Sequence, residues 1–182
     1  HVTVDGKDTP WATFTIPNLY GPNKKFDEVC TVPNTRGGNG APGALTAEGE
    51  KFWRNFCLEV AQAYPNAFPD REEHIYEITW EPCYPWGYKG TDEQLVRIYE
   101  IAYHALHEAD PKALVVGPCS SSVGNPAELE PLLKKGLGKF LDGFSTHPYI
   151  SLPPERFGLR ENTGKIKELL RQYVGRELPM FG

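Results

Sequence analysis

No run of apolar residues in this 182-residue chain approaches the ~20 needed to cross a bilayer, so no membrane-spanning helix is expected. Basic residues are sparse as well. There are 19 Lys and Arg against 24 Asp and Glu, never more than two in a row, and the net charge is −5. Tracking a phosphate backbone takes a basic stripe, so nucleic-acid binding is not expected. The first residues show no charged segment leading into an apolar one, so no signal peptide is visible in them. A mature secreted protein looks the same, which leaves the compartment open, with a secreted, periplasmic or cell-surface one favoured over the cytoplasm. The four cysteines, Cys30, Cys57, Cys83 and Cys119, are far apart and form no CxxC or CxxH pair. That spacing argues against a structural zinc site, and buried thiols are expected more than two disulfides. The glycine-rich loops GxGxxG and GxxxxGK[ST] are absent, as are the GxSxG elbow and the HExxH helix. No cofactor and no metal is implied. No internal repeat or linker divides residues 1–182, which are expected to lie in one domain.

What is present is ordinary globular composition, 40% hydrophobic and 24% charged. The 18 glycines and 17 prolines point to a folded, loop-rich domain. Turn residues crowd the first 45 positions, where Trp11 to Pro17 alternates as a strand does and residues 18–45 read as a long loop. Thr46 then caps a helix whose apolar row is Phe52, Phe56 and Val60 with Trp53 beside it, ending at Tyr64-Pro65. Ile75 to Trp80 reads as a short strand, and Thr91 caps a second helix with the stripe Leu95, Ile98, Ile101, Ala102, Ala105 and Leu106. The continuous apolar run Ala113 to Gly117 suits a strand buried on both faces. Asn125-Pro126 opens a third helix to about Lys135, Gly143 to Tyr149 is a strand, Thr163 to Val174 a fourth helix, and Leu178 to Gly182 the start of another strand.

Short strands alternating with helices predict a parallel sheet with helical crossovers. Two α/β architectures remain, a doubly wound sheet or an arc of a (β/α)₈ barrel. A complete barrel takes about 250 residues, so 182 would supply only part of one.

Both architectures bind ligands at the C-terminal ends of their strands. Glu81, Tyr84 and Trp86 follow one strand, Cys119 and Ser120 to Ser122 the next, His147 and Tyr149 the third. Aromatic faces suit the apolar side of a sugar, and carboxylates and amides suit its hydroxyls. Alternation assigns Glu77, Thr79 and Glu81 to one face of their strand and Tyr76, Ile78 and Trp80 to the other. A carboxyl at the dry mouth of a barrel is suited to hold a proton, as a general acid must. The bland alternative for Glu81 is a surface residue at a loop entry. For His147 it is a core histidine, for each aromatic plain packing, and for His104 and His107 a solvated helix face.

Taken together, Y-E-I-T-W-E-P (Tyr76 to Pro82) and D-G-F-S-T-H-P-Y (Asp142 to Tyr149) resemble clan A glycoside hydrolases. The likeness is to the xylosidase and iduronidase branch and related bacterial exopolysaccharide hydrolases, and runs from about Thr46 to Gly182. It implies a (β/α)₈ TIM barrel, present as an incomplete segment of about strands 3 to 7. It also implies a retaining hydrolase of O-glycosidic bonds in an oligo- or polysaccharide. Glu81 matches the general acid/base. Glu77 matches an inward-facing Glu lower in the same strand, and His147 and Tyr149 match residues lining the sugar pocket. Trp80, Tyr84 and Trp86 complete the expected sugar-binding set. Two departures accompany the match. The family's Asn before the acid/base is Trp80 here, which cannot accept a sugar hydroxyl in the same way. The family's nucleophile is a Glu near the end of strand seven, and L-P-M-F-G resembles only the start of that strand. The nucleophile and the remainder of the barrel are therefore expected from additional chain. The alternatives are a carbohydrate-binding protein with catalysis lost, and an esterase or thiol hydrolase using Ser120 or Cys119.

Overall fold

A computed structural model of the chain describes residues 2–4, 7–9, 12–13, 44–79, 81–84, 87–88, 90–120, 126–147, 156 and 158–182. Two strands, β1 (Val2–Val4) and β2 (Lys7–Thr9), form an antiparallel pair with Val2 opposite Thr9 and Val4 opposite Lys7. The sequence between them, Asp5-Gly6, is a pair that two-residue hairpins favour. The rest runs β3 (Ala12–Thr13), α1 (Ala47–Ala67), β4 (His74–Glu77), α2 (Asp92–Ala109), β5 (Ala113–Ser120), α3 (Pro126–Lys134), a 3₁₀ turn (Leu137–Phe140), β6 (Gly143–Thr146), α4 (Leu159–Val174) and β7 (Met180–Phe181).

Strand order decides between the two architectures. The second sheet is ordered β3-β4-β5-β6-β7, and every neighbouring pair is parallel. A doubly wound sheet reverses direction at a switch point, whereas this order never reverses. One-way winding places every crossover on one side, and one apolar cluster accordingly holds residues of all four helices. Trp53, Cys57, Ile98, Leu106, Leu129, Leu133, Ile166 and Leu170 share it with Tyr76, Ile78, Val115 and Phe144 from the strands. Their chain neighbours Glu77, Val116 and Ser145 are buried as well, and Val116 lies outside that cluster. The fold is an arc of a (β/α) barrel, with helices on one face and a partly polar inner face on the other.

The helices form where local chemistry dictates. Thr46 Oγ1 accepts from Gly49 N at 3.0 Å. Thr91 and Gln94 make a reciprocal capping box, satisfying two otherwise orphaned N–H groups. Three expectations shift. The buried stripe of α1 is Gly49, Trp53, Cys57, Ala61 and Tyr64, whereas Phe52, Phe56 and Val60 are only half-buried. Trp53 sets that rotation, because its indole N–H donates to the Ile98 carbonyl of α2 at 3.0 Å. Pro65 does not end α1; the helix closes two residues later, where Phe68 N donates to Tyr64 O. Helix α4 starts at Leu159, before the expected Thr163, after Gly158 at φ 70°, a conformation that suits glycine. The strand Trp11 to Pro17 is described only at Ala12–Thr13, and residues 18–43 lie outside the described part.

Candidate active site

Glu81 lies four residues past the last strand residue of β4, so strand alternation does not carry that far. The chain nevertheless keeps following β5. Ile78 N donates to Val116 O at 3.4 Å, and Glu81 N to Cys119 O at 3.1 Å. Glu81 has φ 45° and Cys119 φ 57°, the two non-glycine residues in the left-handed region among the described residues. That region costs a side-chain-bearing residue of order 1–3 kcal/mol, and such strain concentrates at functional sites. Here both strained residues are joined by one hydrogen bond at adjacent strand ends. The turn continues with Tyr84 N donating to Glu81 O at 3.1 Å, so Tyr84, half-buried, is tied to Glu81 through the backbone.

The consequence is convergence. Glu81 Oε1 lies 3.2 Å from His147 Nδ1, just beyond β6. His147 Nε2 lies 3.1 Å from Cys119 Sγ. Cys119 N in turn donates to the Ser145 hydroxyl at 3.1 Å, fixing β5 against β6 where the register slips by one residue. Glu77 joins from within β4, its carboxylate within 4.8 Å of both Cys119 Sγ and His147. Glu77, Glu81 and Cys119 are buried, and His147 is half-buried. Burial, with the Glu77 carboxylate beside it, pushes the Cys119 thiol far above its usual range. A thiol so held is protonated and weakly nucleophilic, which disfavours the thiol-hydrolase alternative.

Beneath this cluster Thr79 turns away from the face that alternation assigned to it. Its Oγ1 meets the buried Tyr99 hydroxyl of α2 at 2.6 Å and donates to the Pro118 carbonyl at 3.2 Å. Tyr99 reaches there because residue 117 is glycine. A Cβ at Gly117 would stand 2.3 Å from the tyrosine oxygen.

Of the expected site residues, the structure brings Glu77, Glu81 and His147 together and places Tyr84 beside them. Trp80, Trp86 and Tyr149 lie outside the described residues, as do Ser121 and Ser122. Cys119 and Ser145 belong to the same cluster although neither was expected to act with Glu81. Their strand-end positions, after A-L-V-V-G and within G-F-S-T-H, were the available signal. Among the described residues Cys57 and Cys119 are reduced and buried, and Cys30 falls outside. His107 is not simply solvated. Its Nε2 meets Asp142 Oδ2 at 2.8 Å, and the same oxygen accepts from Val115 N at 2.9 Å.

No protein-family model matches the chain, and no curated protein matches it. Solved structures similar to it include the following two. One is a glucosidase from Croceicoccus marinus, 19% identical, with a TM-score of 0.60 over 76% of this chain and 30% of that one. The other is a GH39 enzyme from Xanthomonas axonopodis pv. citri, 13% identical, with a TM-score of 0.62 over 84% of this chain and 33% of that one. The chain thus spans about a third of the length of the structures it matches. At these identities the likeness is one of fold, and that fold is the partial (β/α) barrel already evident from the strand order.

Proposed function

We propose that this chain carries the acid/base half of a retaining glycoside hydrolase acting on O-glycosidic bonds of an oligo- or polysaccharide. The observation that carries the reading is the turn at Glu81. A buried carboxyl is held by a strained backbone at the C-terminal end of a barrel strand, 3.2 Å from an imidazole at the end of another. In such a barrel the C-terminal strand ends are where catalytic groups gather. The two similar structures are a glucosidase and a GH39 enzyme, which supports the same substrate class. The motif likeness to the xylosidase and iduronidase branch supports the assignment of the acid/base to Glu81.

The chemistry is that of the retaining hydrolases the motifs resemble. Glu81, protonated, gives its proton to the leaving glycosidic oxygen as the bond breaks. A second carboxylate, outside residues 1–182, attacks the anomeric carbon from about 5–5.5 Å across the site and forms a glycosyl-enzyme. Glu81, now a carboxylate, takes a proton from water as that water releases the sugar with retained configuration. His147 orients the Glu81 carboxyl through its Nδ1 contact, and Glu77 lies under both. Tyr84, with Trp80, Trp86 and Tyr149, would supply aromatic surface to the sugar.

The test is turnover of aryl glycosides and release of reducing ends from oligosaccharides by the full-length protein and by Glu81→Gln. The amide keeps shape and polarity but cannot donate an acidic proton. A fall of about 10²–10⁴ in turnover is expected. Turnover equal to wild type in Glu81→Gln refutes the assignment, and sugar binding without any hydrolysis in the wild type favours a carbohydrate-binding protein instead.

A further inference from the structure

We propose that Glu77, Cys119 and His147 form a binding site for a zinc-class divalent cation, with the second nitrogen of His147 left for Glu81. The three side chains come from the ends of β4, β5 and β6 and present a carboxylate oxygen, a sulfur and an imidazole nitrogen within 4.8 Å of one another. Neither separation in sequence resembles a zinc motif, so spacing alone gave no sign of them.

The chemistry of the donors selects the metal. Thiolate with imidazole and one carboxylate suits Zn²⁺ and its substitute Co²⁺. Calcium and magnesium take all-oxygen shells instead. Distances agree. Zinc bonds of about 2.0–2.3 Å arranged tetrahedrally put two ligand atoms about 3.3–3.6 Å apart. Cys119 Sγ stands 3.1 Å from His147 Nε2 and 3.6 Å from Nδ1. Glu77 closes a remaining gap of about 1.5 Å at most, within reach of a glutamate side chain.

The ligands are also held in place. Cys119 is fixed at φ 57° by its N–H bond to Ser145 Oγ and by the Glu81 N–H on its carbonyl. Glu77 belongs to β4 and is paired in register with Val116. Glu77 and Cys119 are buried, where a dication supplies the counter-charge that a buried thiolate and carboxylate need. Three protein ligands leave a fourth position for water. His147 offers Nε2 to this triad, 3.1 Å from the sulfur, and keeps Nδ1 for Glu81 at 3.2 Å, so one ring serves both, as when a metal-bound imidazole donates its other N–H to a carboxylate.

The cation site stands without the glycosidase reading. Cobalt(II) titration of the full-length protein, stripped of metal, tests it. One equivalent is expected to give the intense thiolate-to-cobalt charge-transfer absorption and tetrahedral d–d bands, both displaced by zinc. Cys119→Ser should lose the charge-transfer absorption, while Cys83→Ser, at an exposed position, keeps it. Glu77→Gln should weaken binding at least about tenfold, with circular dichroism checking that each variant is folded. No charge-transfer absorption in the wild type overturns the site whatever the variants do, and so does absorption that survives in folded Cys119→Ser.

Discussion

Two histidine–carboxylate pairs stand at opposite ends of the same sheet. At the N-terminal end His74 Nδ1 donates to Asp110 Oδ2 at 2.6 Å, and the groups are 3% and 2% exposed. At the C-terminal end His147 meets Glu81 at 3.2 Å, and they are 26% and 8% exposed. Asp110 is saturated: Tyr76 Oη–H donates to the same oxygen at 2.6 Å and Lys112 N–H to the other at 3.0 Å. It also caps α2, its own N–H donating to Leu106 O. Tyr64 packs against His74 and Tyr76 with ring centres 5.1 and 5.4 Å away. The lower pair is a closed joint between a helix end and two strands. The upper pair is longer, more open and built on strained backbone. On the proposed function, identical chemical types serve stability at one end and reaction at the other, the division expected of a barrel.

The sharpest way to break that comparison is to swap the consequences. Glu81→Gln should cost turnover about 10²–10⁴, as above, yet change the chemical-denaturation midpoint little, because shape and burial are kept. Asp110→Ala should do the reverse. Deleting one partner of a buried pair costs about 3–5 kcal/mol of folding stability, and also orphans the Tyr76 hydroxyl and the Lys112 N–H. Its KM for a sugar substrate should not move under conditions where the variant is folded. If Asp110→Ala is as stable as wild type, the lower pair is not a joint.

A smaller effect tests how the two ends are coupled. Gly117→Ala places a methyl where the Tyr99 hydroxyl lies, and the tyrosine is locked between β5 and α2. Overpacking of this kind costs about 1–3 kcal/mol, and pairing it with Tyr99→Phe should recover little. Pairing it with Tyr99→Ala should recover most of the clash, since the ring is then gone.

The smallest effect belongs to the surface. Arg97 clasps Glu50 of α1 at 2.8 Å and Glu100 of its own helix at 2.8 Å. The guanidinium holds the Glu50 carboxyl below its usual range. A group whose folded pKa is depressed contributes stability above its unfolded pKa and loses it as pH falls through the folded one. Arg97→Ala should therefore cost under about 1 kcal/mol at neutral pH, since the pair is largely exposed, and almost nothing in acid. A loss that persists unchanged in acid would point to packing of the arginine stem instead.

How much of this was legible in the sequence divides along the same line. The helices with clear caps, Thr46 and Thr91, and the apolar run Ala113 to Gly117 announced their elements through local chemistry. Alternating short strands and helices gave the parallel sheet, but only the strand order separated a barrel arc from a doubly wound sheet. Glu77, Glu81 and His147 were legible because strand ends are identifiable and carry few polar residues. The reason they meet was not. Alternation would have carried Glu81 along a straight strand, whereas left-handed backbone at Glu81 and Cys119 turns the chain, and no residue type there signals it. Tyr99 with Gly117, and His74 with Asp110 and Tyr76, escaped for the same reason: each joins residues remote in sequence through side-chain geometry. The rotation of α1 toward Trp53 was hidden because Phe52 and Phe56 satisfy helical spacing equally well.

The central claim is that Glu81 is the acid/base of a retaining reaction, and chemical rescue tests it most directly. In Glu81→Ala, assayed on an aryl glycoside with a good leaving group, the glycosyl-enzyme forms but no base activates water. Azide, a small anionic nucleophile needing no base, should restore turnover and yield a glycosyl azide of retained configuration. Wild-type turnover without azide, or a glycosyl azide of inverted configuration, would contradict the account.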